Sequence, residues 1–266
     1  MGPVGMAGCG TMGRPMLDAL LDAGFDARGF DIREIDHPAV TTDLAAFTRG
    51  LGICLTVVRD EAETEALLFT DQCLCTAPDL RTLVICSTLP PSYVRGLAPR
   101  LPHLDLVDAP MSGAEIGAIE RTLSFMPGGD PATVARLTPL FRAMGRSVHP
   151  MGGFGMGILA KVLNNFVLSA SVAATRTALD WADAHDLPEA ALLDLIEAST
   201  GRNWFASGRD EIEFFRHGFA PGNTIEILEK DVRCALDAAP DHADRRLAED
   251  IRASLRALTP RAAPEA

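Results

Sequence analysis

The feature that most constrains the fold is a glycine-rich turn joining an apolar strand to a helix near the start of the chain. Residues 3–8 form a short apolar run that predicts a buried strand, and this run leads straight into Gly8-Cys9-Gly10-Thr11-Met12-Gly13. Apolar residues at helical spacing then predict a helix over 12–23, which ends at Gly24. A strand, a Gly-x-Gly-x-x-Gly turn and a helix in this order are typical of a dinucleotide-binding βαβ unit.

Each glycine of this turn has a distinct physical role in such a unit. Gly8 permits the tight turn, Gly10 lets the backbone approach a pyrophosphate, and Gly13 lets helix and strand pack closely. A turn that needs glycine for structural reasons alone is the open alternative. The predicted cofactor contacts in this turn are Gly8, Gly10, Thr11, Met12 and Gly13.

Asp31 ends the second predicted strand, 18 residues after Gly13. A carboxylate at this position can accept hydrogen bonds from the hydroxyls of an adenosine ribose, and it would repel a 2′-phosphate. The pattern therefore favours NAD over NADP as the cofactor. Arg33 lies close by and weakens that preference, and Asp31 could instead only cap the following turn.

Strands and helices alternate over the first half of the chain. Further apolar strands are predicted over 26–31, 51–58, 83–87, 104–107 and 123–126, with a helix over 61–69. Strands alternating with helices predict a parallel sheet with helices on both faces. We therefore expect an α/β, Rossmann-type doubly wound sheet in a dinucleotide-binding domain over residues 1–153.

The pattern changes after a glycine-rich segment at 151–157, which is a candidate hinge. Residues 158–185 contain no Gly or Pro and are apolar on nearly every face, which predicts a helix buried by other elements. Further helices are predicted over 190–199, 209–217 and 225–238, and residues 260–266 are expected to fray. We predict an all-α C-terminal domain over residues 154–266 that serves substrate binding and oligomerisation.

Composition and charge exclude several classes of function. The chain of 266 residues has a formal net charge of −12, which makes nucleic acid and anionic membrane surfaces poor partners. No uninterrupted apolar run reaches the roughly 18 residues of a membrane span, and the start lacks the basic leader of a signal peptide. The six cysteines form no Cys-x-x-Cys pair, so we expect reduced thiols and no metal site. These features predict a cytoplasmic protein.

Lysine is rare in this chain, in which 22 of the 24 basic residues are arginine. The two lysines are Lys161 and Lys230, and Lys161 lies in the long apolar stretch with Asn165 one helical turn later. Burial lowers the pKa of an amine toward neutrality, which suits a general acid and base. The alternative for Lys161 is a structural side chain whose amine reaches the surface.

A second motif, Asp108-Ala109-Pro110-Met111-Ser112-Gly113, follows a predicted strand. This position is the carboxyl edge of the sheet, where open α/β sheets bind ligands. Ser112 and Gly113 can present a hydroxyl and backbone N–H groups to an anion. An ordinary Pro/Ser/Gly turn is the alternative.

Three motifs in order now resemble one family. The glycine turn, residues 108–113, and Gly155-x-Gly157-x-x-x-Lys161-x-x-Asn164-Asn165 are similar to those of the β-hydroxyacid dehydrogenases, which include 3-hydroxyisobutyrate dehydrogenase and tartronate semialdehyde reductase. Ser87-Thr88 and Lys230-Asp231 also match, so the resemblance spans residues 4–238.

The resemblance implies an oxidoreductase that transfers a hydride between NAD and a small 3-hydroxy acid, or the corresponding semialdehyde. Lys161 would be the catalytic lysine and Asn165 its partner, while Ser112 and Gly113 would hold the substrate carboxylate. Thr88 would lie between nicotinamide and substrate, and both Val58 and Thr88 would contact the cofactor. The other substrate contacts implied are Asn164 and Lys230. A homodimer or homotetramer is expected.

The chain also departs from the family pattern. Arg121 stands where the family usually has Gly, and Ala114-Glu115 replaces the common small residues after Ser112-Gly113, which leaves the substrate open. Among rivals, the decarboxylating 6-phosphogluconate dehydrogenases carry His where this chain has Asn164, and an acid where it has Leu168. Imine reductases and non-catalytic NAD-binding regulatory modules of this fold lack the lysine that this chain keeps.

Overall fold

The computed structural model describes residues 2–263 and divides the chain into two units, one ending at Lys161 and one beginning at Val162. This boundary falls inside a single long helix, Met156–Asp183. The first unit contains all the strands of the described residues, and the second is helical. The predicted domain boundary after residue 153 stays a prediction.

Ten strands lie in the described part of the chain: β1 Val4–Ala7, β2 Ala27–Phe30, β3 Val40–Thr41, β4 Ile53–Thr56, β5 Thr82–Ile85, β6 Asp105–Asp108, β7 Met111–Ser112, β8 Leu123–Phe125, β9 Gly128–Gly129 and β10 Gly145–Val148. The main sheet has the order β3-β2-β1-β4-β5-β6-β9, and every neighbouring pair is parallel except β6 and β9. A small sheet has the order β10-β8-β7. The order of the first six strands of the main sheet is that of a doubly wound dinucleotide-binding fold.

Eleven α-helices accompany them within residues 2–263: α1 Gly13–Asp22, α2 Leu44–Thr48, α3 Glu61–Glu65, α4 Pro91–Arg100, α5 Ala114–Ile119, α6 Pro131–Met144, α7 Met156–Asp183, α8 Glu189–Ala198, α9 Trp204–Ser207, α10 Thr224–Asp237 and α11 Arg246–Ala257. A π-helical turn, Ala66–Thr70, continues α3. The N-terminal α/β sheet and the C-terminal helices confirm the predicted fold class.

Strand β1 shows why both faces of the sheet are covered. Alternate residues of a strand point to opposite faces. Val4 and Met6 are fully buried in the core that also holds the apolar residues of α1 and α6. Gly5 points the other way, where a Cβ would meet Phe47 of α2 at 2.6 Å and Leu51 at 2.9 Å. The sheet is therefore packed against helices on both sides.

The prediction that α7 is buried on every face is wrong. Val172 and Leu179 are fully buried in the core of the second unit, but Leu163, Val167 and Trp181 are 48%, 64% and 71% exposed. Apolar side chains on every face of a helix show only that its burial would be favourable. In the second unit, the neighbouring helices cover only one side of α7. An apolar surface is therefore left along α7.

Length and composition alone would let α7 cross a membrane. Among residues 2–263, α7 is the one helix that meets this criterion. Its most apolar 18-residue window has a mean hydropathy of 1.4, and 44% of that window is buried. No uninterrupted apolar run marks α7, because Asn and Ser interrupt it, whereas a mean hydropathy tolerates such residues. A core helix passes the same test, and α7 packs Val172 and Leu179 into a core.

The helix predicted over 209–217 is also wrong, because this stretch is a series of turns after the short α9. Phe214 and Phe215 are both buried and both stack on Phe205, with ring centroids 5.7 and 4.8 Å away. Adjacent residues of a helix point about 100° apart, so a regular helix would not bring both rings to one core position.

The fraying predicted for residues 260–266 fails at Arg261. Its side chain is only 10% exposed, and its guanidinium pairs with Glu189 at 2.6 Å, Asp183 at 2.7 Å and Asp180 at 3.2 Å. The buried Arg176 donates to the carbonyl of Thr259 at 2.6 Å. The segment is therefore anchored at least to residue 261, and residues 264–266 lie outside the described part of the chain.

Candidate active site

The turn between β1 and α1 needs its glycines for close packing. Gly8 has a φ of +93°, and a Cβ there would lie 2.5 Å from the carbonyl oxygen of Val57. A Cβ on Gly13 would lie 1.8 Å from the carbonyl oxygen of Gly8. No side-chain hydrogen bond caps the start of α1, a position at which backbone N–H groups commonly bind phosphate. This cradle fits the pyrophosphate of a dinucleotide.

Asp31 directly follows β2 and is 5% exposed. Its carboxylate accepts the backbone N–H of Cys9, in the glycine turn, at 2.9 Å, and the backbone N–H of Arg33 at 3.0 Å. The Arg33 guanidinium donates to the same carboxylate at 3.1 Å. Burial acts to raise the pKa of Asp31, but the hydrogen bonds from Arg33 and Cys9 outweigh it and hold the pKa below its usual value. Asp31 therefore caps the following turn and also stays ionised beside the glycine turn.

The carboxyl ends of β4 and β5 lie beside this turn in the sheet. The hydroxyl of Ser87 donates to the carbonyl of Val58 at 2.6 Å, which ties the two strand ends together. Thr88, the next residue, is half-buried. Because parallel strands end at one edge of a sheet, Val58 and Thr88 share the edge of the glycine turn.

Asp108, the last residue of β6, is 1% exposed and was missed as a site residue by the sequence analysis. Its carboxylate accepts the backbone N–H of Gly155 at 2.7 Å and that of Ile158 at 2.6 Å, at the start of α7. Burial raises the pKa of Asp108 to about 7, against the effect of these backbone donors. Only the position of Asp108 at the head of its motif hinted at a role.

Ser112 lies in β7, half-buried, and pairs with Ser124 of β8. Gly113 follows with a φ of +136° and is exposed, and Ala114 has a φ of +54°. The chain therefore turns sharply into α5 at this point and presents backbone groups to solvent. The anion-binding role of Ser112 and Gly113 stays a prediction.

Lys161 is the last residue of the first unit and is 8% exposed. It lies one turn after Ile158, whose N–H is bound by Asp108. In the first unit, the glycine turn, Asp31, Val58, Thr88 and the start of the 108–113 motif thus lie at the carboxyl edge of the main sheet. The helix that carries Lys161 is tied to that edge through Asp108.

In the second unit, Asp231, which is 1% exposed, lies in a cluster of four polar side chains with Lys230, Asn165 and Asn164. The amide nitrogen of Asn165 donates to Asp231 at 2.6 Å, and Lys230 pairs with Asp231 at 2.8 Å. The amide nitrogen of Asn164 donates to the amide oxygen of Asn165 at 3.1 Å. The sequence analysis named Asn164, Asn165 and Lys230 but gave Asp231 no role, although the Lys230-Asp231 pair pointed to it.

Arg121 and Glu115, the two departures from the family pattern, lie in different surroundings. Arg121 has a φ of +60°, a conformation that glycine adopts at less cost, and its guanidinium pairs with Asp22 of α1. Glu115 is exposed in the first turn of α5 and lines a cavity of about 460 Å³ with Gly10, Thr11 and Arg33. Glu115 therefore faces the glycine turn.

The fold and this edge define a dinucleotide-binding protein. Residues 3–153 match the family model described as the NAD-binding domain of 6-phosphogluconate dehydrogenase. Residues 155–259 match the family model described as NAD-binding of NADP-dependent 3-hydroxyisobutyrate dehydrogenase.

Curated relatives match nearly the whole chain. The NAD-dependent L-serine dehydrogenase of Pseudomonas aeruginosa is 31% identical over 255 residues, which cover 90% of this chain and 86% of that protein. The 3-hydroxyisobutyrate dehydrogenase of the same organism is 31% identical, over 89% of this chain and 85% of that protein. The 2-hydroxy-3-oxopropionate reductase of Escherichia coli is 30% identical, over 89% and 84%.

Solved structures agree with the family models. The 3-hydroxyisobutyrate dehydrogenase of Mycobacterium tuberculosis, in a structure with L-serine, has a TM-score of 0.77 and 27% identity over 95% of this chain and 92% of that chain. An imine reductase of Streptomyces aurantiacus, at 17% identity, 97% and 96% coverage and a TM-score of 0.64, shows that the fold is shared.

The chain belongs to the β-hydroxyacid dehydrogenase family. It is an NAD-binding oxidoreductase that transfers a hydride between the nicotinamide and a small hydroxy acid, as the sequence predicted.

Proposed function

We propose that this enzyme oxidises a small 3-hydroxy acid resembling 3-hydroxyisobutyrate, or reduces the matching semialdehyde, with Lys161 as the acid/base group. The observation that carries the proposal is the burial of Lys161. It is 8% exposed, one turn into a helix whose start is bound to the residue that opens the 108–113 motif. Burial keeps the amine out of bulk water, so that an acid/base group at this place can pass its proton directly to and from a bound substrate.

In the oxidation direction, the neutral amine of Lys161 takes the proton of the substrate hydroxyl. The C–H bond of the same carbon breaks and leaves a C=O bond, so the substrate loses one hydride and one proton. The nicotinamide, when bound, supplies the hydride acceptor. In the reduction direction, the protonated amine returns its proton to the new alkoxide oxygen.

Substrate binding in the first unit falls to Ser112 and Gly113, which we propose hold the carboxylate. The exposed backbone after Gly113 and the half-buried Ser112 hydroxyl supply hydrogen-bond donors without a charge. Because the chain carries a net charge of −12, such donors at a fixed site help to offset repulsion of an anionic substrate. Thr88 contacts both substrate and nicotinamide in this proposal.

For the second unit we propose that Asn165 orients the reacting groups and that Asn164 and Lys230 contact the substrate. Asn165 follows Lys161 by one turn of the same helix. Its amide nitrogen is bound by Asp231 at 2.6 Å, so its amide oxygen points away from that carboxylate. Asp231 therefore fixes which end of the Asn165 amide acts as an acceptor.

The proposed setting is the cytoplasm, with a small carboxylate substrate and no nucleic acid or membrane partner. The strongly acidic charge supports the exclusion of polyanions. We also propose a homodimer or homotetramer, supported by the exposed apolar side chains on α7.

The test is a dehydrogenase assay with NAD on 3-hydroxy acids of three to five carbons, and on the matching semialdehydes with NADH. Lys161→Ala should lower kcat by about 100-fold or more. Lys161→Arg keeps the charge but is always protonated, so it should lose as much. The Kd of NAD should change by less than about twofold in both variants, because the glycine turn is intact.

If Lys161→Arg were about as active as the unmodified enzyme, Lys161 would not be the group that transfers the proton. Absence of turnover on every acid and semialdehyde, with NAD still bound, would contradict the proposed function.

A further inference from the structure

The first turn of α7 is capped by a residue far away in the sequence. Helices begin with backbone N–H groups that have no partner inside the helix, and a nearby side-chain oxygen usually satisfies them. Here the two carboxylate oxygens of Asp108 each accept one of these donors, from Gly155 at 2.7 Å and from Ile158 at 2.6 Å. These residues follow Asp108 by 47 and 50 positions. The cap therefore ties the end of β6 to the start of α7.

Close backbone packing holds the same joint. A Cβ on Gly157 would lie 2.1 Å from the carbonyl oxygen of Met126 and 2.9 Å from the Asp108 carboxylate. A Cβ on Gly128 would lie 2.6 Å from the Asp108 carboxylate and 2.7 Å from the nitrogen of Gly157. No side chain could be inserted here without moving the helix. Gly128 and Gly157 are therefore required for close packing at the start of α7.

The segment before the helix is fixed as well. The N–H of Met151 donates to the carbonyl of Pro127 at 2.8 Å, and the N–H of Gly129 donates to the carbonyl of Gly152 at 2.8 Å. The chain thus runs beside residues 127–129 before it enters α7. The start of the helix has little freedom to shift along or around its axis.

We infer that Asp108 is a positioning residue that sets the place of the Lys161 amine relative to the Ser112 turn. This inference rests on the proposed function. Asp108 ends the strand from which the chain reaches Ser112, and it binds the helix one turn before Lys161. One buried carboxylate thereby fixes both groups. Both oxygens accept a backbone N–H, and the ionised form that does this best is the major form above the Asp108 pKa of about 7.

The test compares Asp108→Asn with Asp130→Asn. An asparagine at 108 keeps the size but turns an amide N–H2 toward one of the two backbone donors, so one hydrogen bond becomes a donor–donor contact. Asp130 is the matched control because it caps α6 in the same unit, accepting the N–H of Thr133 at 2.9 Å, on a helix without proposed site residues.

The first readout is kinetic. Asp108→Asn should lower kcat by about 10- to 100-fold, the effect of displacing a reacting group by about 1 Å. The Kd of NAD should stay within about twofold, and Asp130→Asn should change neither constant by more than that. If the Asp108 cap had only a structural role, both variants would have a lower thermal midpoint, and kcat would stay near that of the unmodified enzyme in both.

The second readout does not depend on activity. Lys161 and Lys230 are the two lysines of the chain, so limited acetylation followed by mass spectrometry gives a ratio of labelling at the two amines. Asp108→Asn should raise labelling of Lys161 relative to Lys230 by roughly fivefold or more, as the loss of one buried hydrogen bond predicts. Asp130→Asn should leave the ratio unchanged.

If Asp108→Asn does not fold, Asp108→Glu replaces it, because the longer side chain keeps the charge and misplaces the cap. Unchanged kcat and an unchanged labelling ratio would overturn the inference. If the proposed function alone is wrong, Lys161→Arg keeps its turnover while Asp108→Asn still raises labelling of Lys161. If Asp108→Asn leaves the labelling ratio unchanged and Lys161→Arg has normal turnover, both proposals are wrong.

Discussion

At the scale of single residues, the pair of Asp31 and Arg33 illustrates how one contact serves two purposes. The guanidinium lies 3.1 Å from the carboxylate and keeps it ionised, and its outer nitrogen lies 3.3 Å from a Cβ built on Gly10. The carboxylate itself is bound to the glycine turn through the N–H of Cys9. A ribose with two hydroxyls fits this arrangement, and a 2′-phosphate meets a fixed negative charge.

Replacing Asp31 by Asn should therefore relax the cofactor preference. We expect the ratio of kcat/KM for NAD to that for NADP to fall by about tenfold or more, since hydrogen bonds to a charged acceptor are lost and repulsion disappears. Steady-state kinetics with both cofactors measure this ratio. Asp26→Asn is the control, because Asp26 is an exposed carboxylate before the other end of β2. An unchanged ratio in Asp31→Asn would show that another residue sets the preference.

Arg121 tests the cost of a left-handed backbone. Its φ of +60° favours glycine by about 1 kcal/mol, whereas its ion pair with Asp22 is exposed and contributes little. Arg121→Gly should raise the free energy of unfolding by up to about 1 kcal/mol. Arg121→Ala loses the ion pair but keeps the backbone cost, so it should not stabilise. Calorimetry of the three proteins measures the difference, and equal stability of the two variants would argue against backbone strain.

At the scale of elements, the C-terminal segment is held by arginines. Arg261 and Glu189 are both largely buried and lie 2.6 Å apart, and Arg216 pairs with the same carboxylate at 2.6 Å. Burial acts to raise the pKa of Glu189, but the bonds from Arg216 and Arg261 hold it below its usual value. The ionised form is therefore favoured by folding. Its contribution is complete above the pKa of an unfolded glutamate and is lost as pH falls through the folded pKa.

Arg261→Ala should lower the free energy of unfolding of the second unit by about 1–3 kcal/mol near neutral pH. The difference from the unmodified protein should shrink below about pH 4, as the carboxylates protonate. Both tryptophans, Trp181 and Trp204, lie in this unit, so their fluorescence in urea reports its unfolding. Arg246→Ala, which removes an exposed pair with Asp244, should have no measurable effect. Equal stability of the two variants would show that the Arg261 contacts contribute nothing.

At the scale of the whole molecule, the exposed apolar surface of α7 bears on assembly. Leu163, Val167, Ala174 and Trp181 are exposed and recur at helical spacing, so they form one stripe along the helix. A contiguous apolar stripe of this kind is typical of a surface that another subunit covers.

Val167→Glu should therefore shift the protein toward the monomer. A charge in the middle of an apolar interface loses its solvation without a partner, and light scattering coupled to size exclusion measures the mass. Leu247→Glu is the control, since Leu247 is 63% exposed and lies on a different helix, α11. A monomeric unmodified protein at micromolar concentration would contradict the proposed oligomer.

The sequence alone determined the glycine turn, Asp31, the lysine in an apolar stretch and the alternation of strands and helices. Each is a local property, because turn stereochemistry and side-chain periodicity act over a few neighbouring residues. The packing of Phe214 and Phe215, by contrast, overrode local helical spacing, and the exposed side of α7 depended on where other helices stopped.

The tertiary structure decided which polar groups meet. Asp108 finds its donors 47 and 50 residues away, and Asn165 finds Asp231 66 residues away. No periodicity encodes such pairings, because they arise only when β6 and α7, or α7 and α10, are brought side by side by core packing. The sequence therefore supplied the chemistry of the site, and the fold supplied the contacts that hold it in place.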